Sequence, residues 1–142
     1  MDKIKHYKHQ LRYFGHEFSQ VKDYRLEEWQ KSYIERIKKK LLGDNYKKKT
    51  LVDIATGSGY VAVEMAKIGM EVIATDLSPQ AIENLKKYKR RFSLKNLKLI
   101  NSPAEKIPLK SNTADYLVAN AILDHIPNEK DSIVDWKIIL KT

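Results

Sequence analysis

From residue 50 onward, short apolar runs alternate with segments of helical period, and few folds satisfy that alternation. Residues 50–55 read as a strand, and residues 60–68 repeat with helical period until Gly69 ends them. Residues 71–75 read as a second strand, and Asp76-Leu77-Ser78-Pro79 opens a helix that runs to about residue 92. Ser78 is its natural N-cap and Pro79 takes the first helical position. Residues 97–100 and 116–119 read as two further strands, kept apart by breaks at Pro103 and Pro108. Asn128 is placed to cap a last helix over 129–140. Apolar strands this short, joined by helices, require a parallel sheet covered on both faces. Right-handed crossovers then give a doubly wound α/β layer, with ligand expected outside the carboxyl ends of the strands.

Ahead of the sheet, residues 1–15 mix Lys, His, Tyr and Gln without a clean period and read as an arm or short helix. Residues 24–42 read as a helix, because Leu26, Trp29, Tyr33, Ile34, Ile37 and Leu41 form one apolar stripe. Lys38, Lys39 and Lys40 suit the dipole of its last turns, Gly43 supplies the stop, and residues 44–49 form a polar linker. The 142 residues suit one core, organised as an N-terminal helical arm or lid, 1–45, and a sheet domain, 46–142.

Composition narrows the function classes. With 42% apolar and 32% charged residues the chain is expected to be globular, not disordered. No apolar run is long enough for a membrane span, and the charged first ten residues lack the apolar stretch of a signal peptide, so a cytoplasmic protein is expected. The absence of cysteine excludes a disulfide framework, a thiolate zinc site and a cysteine nucleophile. The net charge of +9 comes from 27 cations, of which five are Arg and 22 Lys. Nucleic-acid readers usually draw on Arg forks as well as Lys point charges, so these Lys runs read first as solvated surface. A nucleic-acid partner stays open but is not favoured.

The chemistry concentrates in Asp53-Ile54-Ala55-Thr56-Gly57-Ser58-Gly59, the turn from the first strand into the first helix. Glycine there lets a ligand approach the backbone, and the helix that follows points free N–H groups at the same place. Nineteen residues past Gly57, Asp76 ends the second strand, where a carboxylate accepts both hydrogen bonds of a ribose diol. Gly57-Ser58-Gly59-Tyr60-Val61-Ala62 also satisfies the dinucleotide pattern G-x-G-x-x-G/A. Asp53 argues against that reading, since a carboxylate adds negative charge to a site meant for a pyrophosphate. It suits a cationic amino group instead. A ligand with adenosine at one end and an amino acid at the other uses both acids, and S-adenosylmethionine is that ligand.

At these residues the chain resembles the class I S-adenosylmethionine-dependent methyltransferases, most of all the ubiquinone/menaquinone biosynthesis type that acts on small molecules. The resemblance covers about residues 50–142 in four blocks. Residues 51–59 resemble motif I (D-x-G-x-G-x-G), with Ala55 in place of the first glycine, and residues 72–78 resemble the block ending in the ribose-binding acid. NSPAEKIPLKSNTADY, 101–116, is similar to the next block, and LVANAILDHIP, 117–127, to the strand and active-site loop after it. The resemblance implies a Rossmann-like methyltransferase fold and the cofactor S-adenosyl-L-methionine. It implies that Asp53 holds the methionine amine and that backbone at Ala55, Thr56, Gly57 and Gly59 lines the methionine and ribose. Asp76 then clasps the ribose diol, Leu77 packs on adenine, the Ala104 N–H faces the adenine ring, and Asn120 closes over the methionine part. Pro103 stands where the family usually has the Asp that accepts from the adenine amino group, which leaves Ser102 or Glu105 to substitute.

Transfer of a methyl from a sulfonium needs mainly orientation and exclusion of water, with a general base only where the acceptor arrives protonated. In this fold the resemblance places Asp124 and His125 near the donated methyl; His125 has the chemistry of such a base, but the first reading is that it caps or packs the loop before Pro127. His6, His9 and His16 show no metal-ligand spacing, and no metal is expected. The aromatics Tyr7, Tyr13, Phe14, Phe18, Tyr24 and Trp29 suit a lid over the acceptor pocket, packing on the sheet edge, or both. Compared with the resembling family, the sheet ends after its fourth strand, so a homodimer covering that edge is one expected arrangement. The expected activity is methyl transfer to a small-molecule acceptor. An RNA- or protein-directed methyltransferase and a non-catalytic S-adenosylmethionine-binding module are the alternatives, and a dinucleotide oxidoreductase ranks behind them.

Overall fold

The computed structural model describes residues 3–21, 23–41 and 45–142. Four parallel strands form one sheet: β1 (Thr50–Ile54), β2 (Glu71–Asp76), β3 (Leu97–Asn101) and β4 (Tyr116–Ala119), in the order β3-β2-β1-β4. Central β1 pairs Asp53 with Ala74 of β2 on one side and with Val118 of β4 on the other. Both acids therefore sit at or near strand ends on adjacent strands, because β2 runs on to Asp76.

Among the described residues five helices accompany the sheet: α1 (Lys3–Ser19), α2 (Glu28–Leu41), α3 (Tyr60–Lys67), α4 (Pro79–Arg91) and α5 (Glu129–Ile139). A 3-10 turn, η1 (Leu123–His125), follows β4. Alternate residues of β1 feed opposite faces. Leu51 joins a cluster with Val61, Met65 and Leu85 of α3 and α4, whereas Val52 and Ile54 join Trp136 and Ile139 of α5. Leu51, Val52 and Ile54 are fully buried, and burial of such side chains is worth about 1.5–3 kcal/mol each. Ser78 caps α4 by accepting from the Ala81 N–H at 3.3 Å, with Pro79 following, and Asn128 caps α5 by accepting from the Asp131 N–H at 3.4 Å.

The N-terminal part departs from the sequence expectation. Residues 3–19 form one continuous helix of 17 residues, not an arm or a short helix, and none of them is buried. Its faces meet helix and loop surfaces rather than the core, so no clean apolar period marks it. Helix α2 begins at Glu28, later than expected. Gln30 Oε1 accepts from the Glu27 N–H at 2.9 Å and fixes the start there. Tyr24 is turned aside, edge-on to Tyr88 and Phe92, with its hydroxyl donating to Glu64 at 2.9 Å. The buried side of α2 is Gln30, Ile34 and Leu41, while Trp29 is 55% exposed and leans edge-on against Tyr60. The stop assigned to Gly43 lies outside the described residues. Among the described residues no helix is long and apolar enough to cross a membrane.

Candidate functional site

The turn after β1 is built almost wholly from backbone in unusual conformations. Ala55, Gly57 and Gly59 all have positive φ, at 53°, 57° and 78°. For Ala55 the left-handed conformation costs about 1–2 kcal/mol, which is why glycine suits that position. The Thr56 N–H donates to the Thr75 carbonyl at 2.8 Å and so pins the turn to β2. The Gly59 N–H donates to the Thr56 carbonyl at 2.9 Å and closes it.

Two carboxylates frame this turn. Asp53, 3% exposed, accepts the Thr56 hydroxyl at 2.6 Å. Burial pushes its carboxyl up to about 7; the Thr56 hydroxyl and the Ala62 backbone oppose the shift, and the charge of Asp76 adds to it. Asp76, 8% exposed, accepts the Gly57 N–H on Oδ2 and the Ser78 N–H on Oδ1, each at 2.8 Å. Burial raises its carboxyl too, and the backbone N–H groups of Ser78, Gly57 and Leu77 work against the rise. The strand end is itself fixed. Asn101 Nδ2 donates to the carbonyls of Asp76 and Leu77 at 2.9 and 3.0 Å, and the Ser102 N–H donates to the Asp76 carbonyl at 2.9 Å.

These groups open onto one cleft with about 200 Å³ of free space. Of the residues singled out in the sequence, Asp53, Ala55, Thr56, Gly57, Asp76, Leu77, Ala104, Glu105, Asn120 and His125 line it. Gly59 and Asp124 do not. Gly59 is buried beneath Leu85, where an added Cβ would stand 2.2 Å from Leu85 Cδ2, so its missing side chain serves helix packing. Asp124 is exposed on η1 and does not line the cleft. Tyr60, Ser102, Ile122 and Ile126 also line the cleft, and sequence reasoning did not single out Tyr60, Ile122 or Ile126 as site residues. Tyr60 was legible only as the first residue of a helix. Its hydroxyl accepts from Asn120 Nδ2 at 2.8 Å, and burial raises it to about 12.

The outer wall comes from α1, through Gln10, Leu11, Phe14 and Phe18. Phe14 stands edge-on to the His125 ring with centroids 5.4 Å apart. His6 Nε2 donates to the His125 carbonyl at 2.6 Å, and Gln10 Nε2 donates to the same oxygen. The Phe18 carbonyl accepts from Asn84 Nδ2 of α4 at 3.0 Å. Tyr13, by contrast, is 61% exposed. Among the described residues no group of three or more His, Asp or Glu side chains is arranged to hold a metal ion.

Residues 52–142 match the family described as a methyltransferase domain. The chain belongs to the methyltransferase-domain family. It is 26% identical over 98 residues to the ubiquinone/menaquinone biosynthesis C-methyltransferase of Rickettsia prowazekii, covering 64% of this chain and 40% of that protein. It is 33% identical over 85 residues to the mitochondrial ubiquinone biosynthesis O-methyltransferase of Schizosaccharomyces pombe, covering 58% of this chain and 31% of that one. The chain thus spans less than half the length of these relatives. In fold, this methyltransferase-domain chain resembles the S-adenosylmethionine-dependent methyltransferase of Aquifex aeolicus, with a TM-score of 0.66 at 22% identity over 76% of this chain and 58% of that one.

Proposed function

We propose that this methyltransferase-domain chain binds S-adenosylmethionine in the cleft and transfers its methyl group to a small-molecule acceptor. One observation carries the reading. Two buried carboxylates, Asp53 and Asp76, stand at adjacent strand ends on either side of a glycine turn and face one cleft. A pair of acids repels a pyrophosphate but complements a ligand with an ammonium at one end and a diol in the middle. Each Asp76 oxygen accepts one backbone N–H and keeps capacity for a ribose hydroxyl. Asp53 is the partner for the amine, and the backbone of Ala55, Thr56 and Gly57 gives the ligand a surface without side chains in the way. Leu77 and Ala104 flank the base, and Asn120 covers the amino-acid end.

S-adenosylmethionine, when bound, would supply an electrophilic methyl carbon on its sulfonium for an acceptor heteroatom or carbanion. The residues around the cleft orient the acceptor and keep water out. Phe14, Leu11 and Ile122 provide an apolar wall on the outer side. His125, at that wall, takes the proton from an acceptor that arrives protonated. Helix α1 acts as the lid, since its residues Gln10 to Phe18 line the outer cleft and its ties run to the η1 loop and to α4. The small-molecule class is supported by the two relatives whose names place them in quinone biosynthesis.

Calorimetric titration with S-adenosylhomocysteine, with NAD as the comparison, tests the cofactor. The expected result is micromolar binding of S-adenosylhomocysteine, weakened more than about tenfold (about 1.4 kcal/mol) by Asp76→Ala. Binding of NAD alone, or binding indifferent to Asp76, overturns the reading.

A further inference from the structure

Helix α2 carries an aromatic stripe apart from the α1 side chains that wall the cleft. Trp29, Tyr33 and Arg36 stand four and three residues apart and so share one side of the helix. Arg36 lies over the Tyr33 ring, 5.6 Å from its centroid. Trp29 and Tyr33 both meet Tyr60 of α3, at centroid distances of 5.6 and 6.3 Å and interplanar angles of 76° and 66°. Edge-to-face packing of this kind fixes the orientation of the rings.

Tyr60 connects the stripe to the cleft. It is buried, lines the cleft, and its hydroxyl accepts from Asn120, the residue after β4. Burial raises the Tyr33 hydroxyl, and the charge of Asp53 on the cleft floor adds to the rise. Trp29 therefore stands one ring outside the cleft wall, at the end of the sheet where the ligand is expected.

A single exposed aromatic is ordinary. Trp29, 55% exposed, differs in being held at two points: its indole N–H donates to Glu27 Oε2 at 2.6 Å, and its ring leans on Tyr60. A large exposed side chain already fixed in place loses little conformational freedom when a ligand settles on it, which is what an aromatic anchor at a binding site requires. The ligand chemistry follows from the indole. Offset stacking on it needs a planar π face, which a saturated ring of the same carbon skeleton lacks. Burial of apolar surface alone favours the saturated ring, which is the bulkier. The two causes predict opposite preferences.

We propose that Trp29, backed by Tyr33 and Tyr60, is an outer acceptor subsite that takes a flat aromatic ring while the reacting end of the same molecule lies in the cleft. This rests on the methyl-transfer reading above and deepens it by naming what the acceptor carries outside the cleft.

The test titrates the whole chain, saturated with S-adenosylhomocysteine, with 2-naphthol and with decahydro-2-naphthol in a calorimeter. 2-Naphthol is expected to bind at least about tenfold more tightly, or about 1.4 kcal/mol. Trp29→Leu is expected to bring the two affinities within about threefold and to leave that for S-adenosylhomocysteine within about twofold. The chain has two tryptophans, so its NMR spectrum holds two indole N–H signals, and Trp29→Leu assigns them by removing one. 2-Naphthol is expected to shift the Trp29 signal and not that of Trp136, whose N–H donates to the Ala104 carbonyl at 2.8 Å inside the core. A preference for the flat ring that survives Trp29→Leu, or an unmoved Trp29 signal, overturns the proposal. So do equal affinities, tighter binding of the saturated ring, or binding of neither. In each of these cases Asp76-dependent binding of S-adenosylhomocysteine leaves the cofactor reading standing, whereas a chain that binds no S-adenosylhomocysteine loses both.

Discussion

Asp53 pays for its place at the floor of the cleft in protonation equilibrium. Its folded carboxyl titrates at about 7, against about 4 in the unfolded chain, so the folded state prefers the neutral acid. A raised folded value means that the stability linked to this group is fully present below about pH 4 and is lost as pH rises toward 7. Asp53→Asn is therefore expected to raise Tm relative to the unmodified protein at pH 8 and to bring no gain at pH 4, as read by calorimetric melting. A gain equal at both pH values shows that the carboxylate is not strained by burial. The glycines give a second contrast. An added Cβ at Gly59 meets Leu85 at 2.2 Å and φ is +78°, so Gly59→Ala is expected to cost about 2–4 kcal/mol in urea unfolding. At Gly57 the nearest atom is the Phe18 ring at 3.7 Å, so Gly57→Ala is expected to cost only about 1 kcal/mol of stability. A larger loss at Gly57 than at Gly59 overturns this assignment. Asp53, Gly57 and Asp76 were legible as neighbours at one end of the sheet, because parallel strands joined by a helix bring their carboxyl ends together. The sequence did not distinguish the jobs of the two glycines, since that depends on Leu85, a residue from another helix.

Strands and the helices between them were legible to within a residue or two, as β4 at Tyr116–Ala119 and α4 at Pro79–Arg91 illustrate. Their signals are apolar runs, an N-cap Ser and a following Pro, all carried by adjacent residues. Helix α1 was not legible as one 17-residue element. It contributes no buried residue and is held through a few specific contacts, the His125 carbonyl at one end and Asn84 at the other. Elements with little buried surface open at low free energy. In hydrogen exchange, the α1 amides are accordingly expected to exchange at least about tenfold faster than those of β1 and β2, and to slow when S-adenosylhomocysteine is added. Protection of α1 equal to that of the central strands in the free protein removes the lid role.

Across the whole molecule, the strand order β3-β2-β1-β4 brings distant stretches of sequence together along one edge of the sheet. The right-handed crossover rule made a doubly wound parallel sheet readable in advance, and aromatics such as Phe14 and Phe18 marked a lid, but the single long helix that carries them was not readable, because long-range helix docking leaves no periodic mark. The proposed assignment of Asp53 to the ammonium and Asp76 to the ribose is testable by shortening the ligand. 5′-Methylthioadenosine keeps the base and ribose and lacks the amino-acid end. S-adenosylhomocysteine needs Asp53 ionised to face its ammonium, so its binding releases a proton, and its affinity is expected to fall by up to about tenfold per pH unit below 7. Methylthioadenosine is expected to bind with no such dependence and to tolerate Asp53→Asn within about twofold. Asp76→Ala is expected to weaken both ligands by a similar factor, because the ribose is common to them. Calorimetry at pH 6 and pH 8 with the two ligands reads all of these. A pH dependence that persists with methylthioadenosine places the titrating group at the ribose or the base, and the assignment of Asp53 to the ammonium then fails.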